Sequence, residues 1–495
     1  MEVLRPMPKS RVRHGSVPAS RRPAARLRTA EAEPGLRPSR NRRPFAWALP
    51  ILAAHLCALL SGAVPGRADT LAEAMGSAYA TNPTLRAARK ELARADEQVS
   101  QALSFYRPQA NAVAGGGYIK DLSNQDNTTR ASNSQFSTTD GPTIVLNLQV
   151  RQPIYNFSNA PRVRQAEEQV RSGRARLVAI EQDVLLRAAT AYLDLVRAQA
   201  SLRYSADYED ALRKSLESTR RQFDLGLVRR SSIAQAESRL SAATAQRIQS
   251  EGALASARGN YAQVIGNTPG TVAMPEMSAV IPESADQVVA ASASNPNLVA
   301  ATYEERAARE GVDVAAGQNL PEFGVQGTVN PNSASVLGVM SVPLYNGIVD
   351  PQVRASKDLV GQRRLELEAQ RRQAEQSALV AWQDYRAAQG RIASFEAQER
   401  AARVAVEGTT REYDLGLRLV SDLLNNQLEY FRSQVDLLGA QRDLRVAAFQ
   451  VLAAMGRLTA TDLGLPVDQY DVDNHYQQVR DRWWGTGPDL GPNRE

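Results

Sequence analysis

From residue 70 onward, two hydrophobic periods alternate along the chain. Residues 143–150, "TIVLNLQV", put Ile144, Leu146, Leu148 and Val150 on one face, with Val145, Asn147, Gln149 and the following Arg151 on the other. That alternation predicts a strand with one apolar and one wetter face. Residues 336–344 repeat it, with Val336, Gly338, Met340, Val342 and Leu344 on one side. Segments 109–120 and 322–330 are expected to be the strands that precede these two, giving four strands of about ten residues each. Elsewhere the period is helical. Residues 70–106 are rich in Ala, Leu, Glu, Gln and Arg and predict helix, broken after Tyr106 by Pro108 and Gly115-Gly116-Gly117. From Asn156 to Leu225 a stripe of Leu177, Ile180, Val184, Ala188, Ala191, Leu195, Ala198 and Leu202 recurs at spacings of three and four. A continuous helix of that extent would be roughly 100 Å long, far more than a globular domain needs.

The same elements are written twice. "NPTL" at Asn82 returns as "NPNL" at Asn295, and Arg107-Pro108 returns as Leu320-Pro321, both 213 residues later. "QPIYN" at Gln152 returns as "VPLYN" at Val342, and "RQFDLGL" at Arg221 as "REYDLGL" at Arg411, both at an offset of 190. The drop of 23 places a deletion in the second copy opposite the polar insert 121–141, so one tip of the unit varies freely in length. The second stripe reads Leu367, Gln370, Ala374, Ala378, Ala381, Tyr385, Ala388 and Ile392. Gly226 and Gly416 are expected to stop the two long helices, because glycine readily takes the left-handed conformation just beyond a helix end. Ser231 or Ser232, and Ser421 or Asp422, are expected to cap the helices that follow.

Composition changes this picture mainly at the N-terminus. The net charge of +6 suggests a nucleic-acid or membrane-surface partner, but residues 1–68 hold 13 Lys/Arg against three acids, leaving 46 basic and 50 acidic residues in the remainder. No nucleic-acid partner is therefore expected. Residues 1–68 read as a basic leader and signal peptide: an Arg-rich stretch, an apolar run 45–64, and small residues Gly66 and Ala68 before a cleavage site. A membrane anchor is the alternative for that run, which Pro50 and His55 weaken. Cys57, His14 and His55 lie in this leader, so only His475 remains beyond it. Thiolate, zinc and His-dependent triad chemistry are excluded from the body, and no cofactor, metal or enzymatic activity is expected.

Four strands cannot close a barrel, and a sheet in lipid must close because lipid cannot satisfy an open edge. Three chains would supply twelve strands. The order of "NPTL" and "NPNL", "QPIYN" and "VPLYN", and the paired "DLGL" turns resembles the TolC family of outer-membrane efflux and secretion channels, over about residues 70–460. The resemblance implies a mixed membrane α+β fold: a duplicated strand-and-long-helix unit forming a trimeric 12-stranded outer-membrane β-barrel continued by a periplasmic α-helical barrel. It implies a homotrimer in outer-membrane lipid, serving as exit duct of a tripartite efflux or type I secretion system. Its partners would be a periplasmic adaptor protein and an inner-membrane transporter, either ABC-type or proton-driven. Both small toxic molecules and unfolded secreted proteins use such ducts.

By position in "REYDLGLRLVSDLLNN", Tyr413 and Arg418 match family gate residues and Asp422 one acidic ring position; Asn425 stands at the second ring position and Ser232 at the place of an acidic partner for the gate tyrosine. The resemblance therefore implies a ring of three charges instead of six, less selective for cations. Gly226, Leu227, Gly416 and Leu417 fall at the hairpin tips expected to meet the adaptor. The expected organisation is a leader (1–68), a first repeat (69–265), a linker (266–283), a second repeat (284–458) and a flexible tail (459–495). A structural periplasmic coiled-coil protein without a pore shares the long helices, but it has no need of lipid-compatible strands.

Overall fold

The computed structural model describes residues 70–119, 141–276 and 281–486; the leader and nearly all of the polar insert lie outside these described residues. Their order is α1 (Leu71–Thr81), α2 (Pro83–Ser104), β1 (Gln109–Ile119), β2 (Gly141–Tyr155), α3 (Asn159–Asp224) and α4 (Arg230–Ile265), followed by α5 (Ala285–Ala291), α6 (Pro296–Gly317), β3 (Glu322–Asn330), β4 (Ser333–Ser341), α7 (Val349–Asp414), α8 (Val420–Ala454) and α9 (Asn474–Arg480). The long helices α3 and α7 each have 66 residues, about 100 Å at 1.5 Å per residue.

The helix expected over 70–106 is two helices, and the repeated Asn-Pro explains both the break and the repeat. Proline lacks an N–H and pushes the preceding residue out of the helical region; Asn82 sits at φ −62°, ψ 123°. Its Oδ1 accepts from the Thr84 N–H at 2.9 Å, capping α2, while its Nδ2 donates to the Val264 carbonyl at 3.1 Å, capping the end of α4. Thr81 Oγ1 adds a bond to the Ile265 carbonyl at 3.1 Å. Asn295 repeats the arrangement, accepting from Asn297 N–H at 3.0 Å and donating to the Ala454 carbonyl at 3.4 Å. One side chain thus satisfies orphan groups of two helices. The result is a spliced column, α4 followed by α2 or α8 followed by α6, beside each unbroken long helix.

α3 packs against α1, α2, α4, α6 and α8, whereas the neighbours of α7 are α5, α6 and α8. The apolar stripe of α3 is accordingly deep: Leu177, Val184, Ala188, Ala191 and Leu195 are buried around a core that includes Leu185, Tyr192, Leu193, Tyr261, Ile265 and Val451. On α7 only Ala374, Ala378, Ala381 and Ala388 of the corresponding stripe are buried, and Gln370 is exposed. α3 buries 24 residues and α7, of equal length and related sequence, only nine. One flank of α7 is therefore without a neighbour among the described residues.

The tail, expected to be flexible, is packed over residues 459–480, and residues 481–486 are exposed. Leu458, Ala460 and Leu465 join the main core, and Tyr470 donates its N–H to Tyr79 Oη at 3.1 Å. α9 lies on α2, where His475 Nδ1 is 3.0 Å from Asp96 Oδ2. Burial pushes the Asp96 carboxyl up, opposed by its bond to His475. These contacts fall at irregular intervals on turns and one short helix, so no hydrophobic period announces them.

Candidate functional site: an apolar sheet face and a paired helical tip

The four strands form one antiparallel sheet in the order β1-β2-β3-β4. Register assigns every residue to a face. Ile144 opposes Gly116, Leu146 opposes Ala114, and Leu148 lies between Ala112 and Val329. Val336 opposes Gly327 and Met340 opposes Phe323. These residues share one face, which is apolar along β2 from Ile144 to Val150 and meets a polar side chain, Gln152 opposite Val325, only at its helix-proximal end. On the other face Asn111 opposes Gln149, Arg151 opposes Gln326, and Thr328 opposes Ser335. Arg151 is also ion-paired with Glu322. No helix lies along either face, and Ile144 and Val336 are 76% and 75% exposed. Strands of 9 to 15 residues meet the roughly 9–11 that a tilted strand needs to cross hydrocarbon.

The expected fourth strand was to run to Leu344, but β4 ends at Ser341. β3 begins at Glu322, opposite Ser341, so residues beyond Ser341 have no strand partner among the described residues, and Pro343 lacks an N–H to donate. In the first copy β2 continues to Tyr155 across an irregularity at Pro153, because Gly324 and Phe323 still face it.

At the far end of the helices the two "DLGL" turns have the same geometry. Gly226 has φ +74° and Gly416 φ +76°. Gly226 N–H donates to the Phe223 carbonyl at 2.8 Å and Leu227 N–H to Gln222 at 2.9 Å; Gly416 donates to Tyr413 at 2.9 Å and Leu417 to Glu412 at 2.8 Å. These paired bonds are the Schellman closure of a helix end. Leu225, Leu227, Leu415 and Leu417 are more than two-thirds exposed, so each tip presents leucines to its surroundings. The following helices start earlier than the serines suggested: Arg229 and Leu419 are the cap residues, with no side-chain cap bond. Ser232 N–H closes the first turn onto the Arg229 carbonyl, and Asp422 N–H does the same onto Leu419.

Behind the tips, the two hairpins of the chain are bonded to each other. Tyr413 is 2% exposed, and its Oη lies 2.8 Å from Thr219 Oγ1. Thr219 already donates to the Ser215 carbonyl, so the phenol is the donor in this bond. Burial pushes the Tyr413 phenol pKa up. One turn further in, Gln427 Nε2 donates to Ser215 Oγ at 3.0 Å, and Tyr208 stacks on Phe431 at 4.9 Å. Ser232 is half-buried, and the hydrogen-bond partner of Tyr413 within the chain is Thr219. Arg418 donates to Glu412 at 2.7 Å and lies 3.9 Å from Asp422. Its guanidinium is held up first by Glu412 and only weakly by Asp422. Asn425 Oδ1 accepts from Arg239 Nη2 at 3.1 Å. Glu412 and Asp422 thus share one guanidinium, that of Arg418, while Arg239 bonds the neutral Asn425.

Thr219 and Arg239 were not singled out from the sequence. One signal was present: Thr219 is the repeat mate of Thr409, 190 residues on, and Thr409 also bonds across its hairpin, accepting from Asn426 at 2.6 Å.

Comparison with known proteins agrees with this geometry. The outer membrane efflux protein family profile matches residues 74–267 and 288–457, the two repeats. The chain is 30% identical to outer membrane efflux protein BepC of Brucella suis biovar 1, over 86% of this chain and 95% of that protein. It is 24% identical to outer membrane protein TolC of Vibrio cholerae, over 84% of this chain and 96% of that one. Among solved structures it superposes on the CmeC outer membrane channel of Campylobacter jejuni with a TM-score of 0.69 at 14% identity, covering 83% and 89% of the two chains. A duplicated chain that pairs an apolar-faced sheet with long spliced helices, and matches in both repeats, is a member of the outer membrane efflux protein family, the TolC family of outer-membrane channels.

Proposed function

We propose that three copies of this chain close a twelve-stranded barrel in the outer membrane, and that their helices continue it as a periplasmic tunnel ending at a gate built on Tyr413, Arg418, Asp422 and Asn425. The observation that carries this reading is the sheet, with one largely apolar face, polar only at Gln152 near the helices, and, among the described residues, free edges at β1 and β4. Strand directions alternate from β1 to β4, so β4 of one copy meets β1 of the next antiparallel, and this head-to-tail contact closes into a ring. Two copies would give eight strands, whose interior side chains fill; a third copy opens a lumen. The apolar face then meets lipid and the face of Asn111, Gln149, Arg151 and Thr328 meets water. The unpartnered flank of α7 fits the same ring, since a neighbouring copy restores to it the burial that α3 has within the chain.

In this reading substrate crosses without chemical change, driven by an inner-membrane transporter through a periplasmic adaptor that grips the exposed leucines beside Gly226 and Gly416. A test uses Val113→Cys in β1 with Ser335→Cys, Leu337→Cys or Val339→Cys in β4, all on the polar face by register. Cys57, the sole cysteine, is replaced by serine. At least one pair should oxidise to a covalent trimer in membranes. Crosslinks that yield only dimers, or none at any of the three registers, would contradict ring closure through these edges.

A further inference from the structure

The C-terminal segment after α9 carries Trp483 and Trp484, which are 58% and 85% exposed. Two exposed tryptophans just beyond a packed stretch of tail need an explanation, because that stretch is held firmly. Arg174 bonds Asp473 at 2.6 Å, His475 meets Asp96, and Tyr476 packs against the cluster of Val99, Ala102, Ala166 and Val170. The tail therefore runs along α2 toward the sheet, with residue 475 beside residue 96. The next contact is at the start of β1. Arg107 Nη1 donates to the Arg482 carbonyl at 2.6 Å, and its guanidinium lies 5.1 Å from the Trp483 ring centroid. The tail thus delivers its tryptophans to the level at which helix gives way to strand.

That level is already aromatic and basic. Phe105 and Tyr106 are about two-fifths exposed, and Tyr155, where β2 leaves the sheet, is 54% exposed. Arg162 stands 3.9 Å from the Phe105 ring centroid. Amphipathic aromatic rings concentrate where hydrocarbon meets head groups, and arginines beside them reach toward phosphates.

We propose that residues 482–484 anchor the channel to the periplasmic leaflet of the outer membrane, with Trp483 and Trp484 seated among phospholipid head groups and Arg107 and Arg482 beside the phosphates. Continuity with the apolar sheet face selects lipid over a protein partner, and the inference rests on the barrel reading. The tail then fixes the depth at which the barrel sits, a role separate from gating or transport.

The test is quenching of tryptophan emission in the full chain reconstituted in phosphatidylethanolamine–phosphatidylglycerol bilayers, with and without lipids brominated near the head group. Conductance is recorded on the same preparation. Emission should fall roughly twofold with the brominated lipid, and Trp483→Ala/Trp484→Ala should lose that quenching while still forming pores. A conducting channel whose emission ignores bromolipid overturns the anchor alone and leaves the tryptophans in water or against a neighbouring copy. A protein that neither inserts nor conducts overturns the barrel reading and the anchor with it. Trp483→Phe/Trp484→Phe, which keeps apolar rings and removes the quenched fluorophores, controls for misfolding of the alanine variant.

Discussion

The two "DLGL" heptapeptides differ at one informative position: Phe223 in the first is 40% exposed, while its mate Tyr413 in the second is 2% exposed. The exposed ring needs no partner, whereas the buried one carries a hydroxyl and finds Thr219. Removing that hydroxyl with Tyr413→Phe should cost about 1 kcal/mol of contact between the hairpins and raise the open conductance of the pore, with Thr219→Val acting alike. Equal conductance in wild type and both variants would separate this bond from gating. Charge around the tip gives a second expectation. Because Arg418 pairs with Glu412 and lies near Asp422, and Asn425 carries no charge, the wild-type pore should prefer cations only weakly, and Asn425→Asp should raise the cation-to-anion permeability ratio severalfold. A reversal-potential shift is the readout, and none would place the ring off the ion path. A third expectation concerns acid. Glu209 is held below the usual carboxylate range by Thr244, with Arg247 and Arg213 adding to the effect against burial. A depressed acid stabilises the fold above its ordinary value, about pH 4, and loses that contribution as pH falls through its lower folded value. Glu209→Gln should therefore lower stability at neutral pH and flatten its acid limb, read as hydrogen exchange at the α3–α4 contact.

Among the elements, the splice carries the sharpest test. Asn82→Ala and Asn295→Ala each remove a cap from two helix ends at once. Each should cost about 1–2 kcal/mol and speed hydrogen exchange at the last turn of α4 or α8, while Thr84→Ala should not. Element types were legible in the sequence wherever a period ran long enough: the strand faces from Ile144 and its neighbours, the helices from the α3 stripe, the turns from Gly226 and Gly416. What stayed hidden depended on a partner distant in sequence. Asn82 reads as the cap of one helix, and only its contact with Val264, 182 residues away, shows the second. β4 stops at Ser341 because β3 ends its pairing there, and the packed tail lacks any period to read. Among the resemblance-derived gate residues, Tyr413, Arg418, Asp422 and Asn425 gather at one tip. The partner of Tyr413 within the chain is Thr219, which stayed hidden because a substituted partner leaves no trace at the position it vacates.

At the scale of the molecule, the unequal burial of α3 and α7 is the feature for which the proposed ring accounts most directly. Related helices of equal length bury 24 and nine residues, and the sheet beside them has, among the described residues, two free edges and an uncovered apolar face. Lipid, lumen and a neighbouring copy are the three surroundings that resolve these features together. The most direct measurement is the single-channel conductance of the purified protein in planar bilayers, made on the heat-modifiable oligomer band. A single class of stable pores carried by trimers is the predicted result. Trimers that insert but never conduct, or a protein that stays monomeric and outside the bilayer, would contradict it.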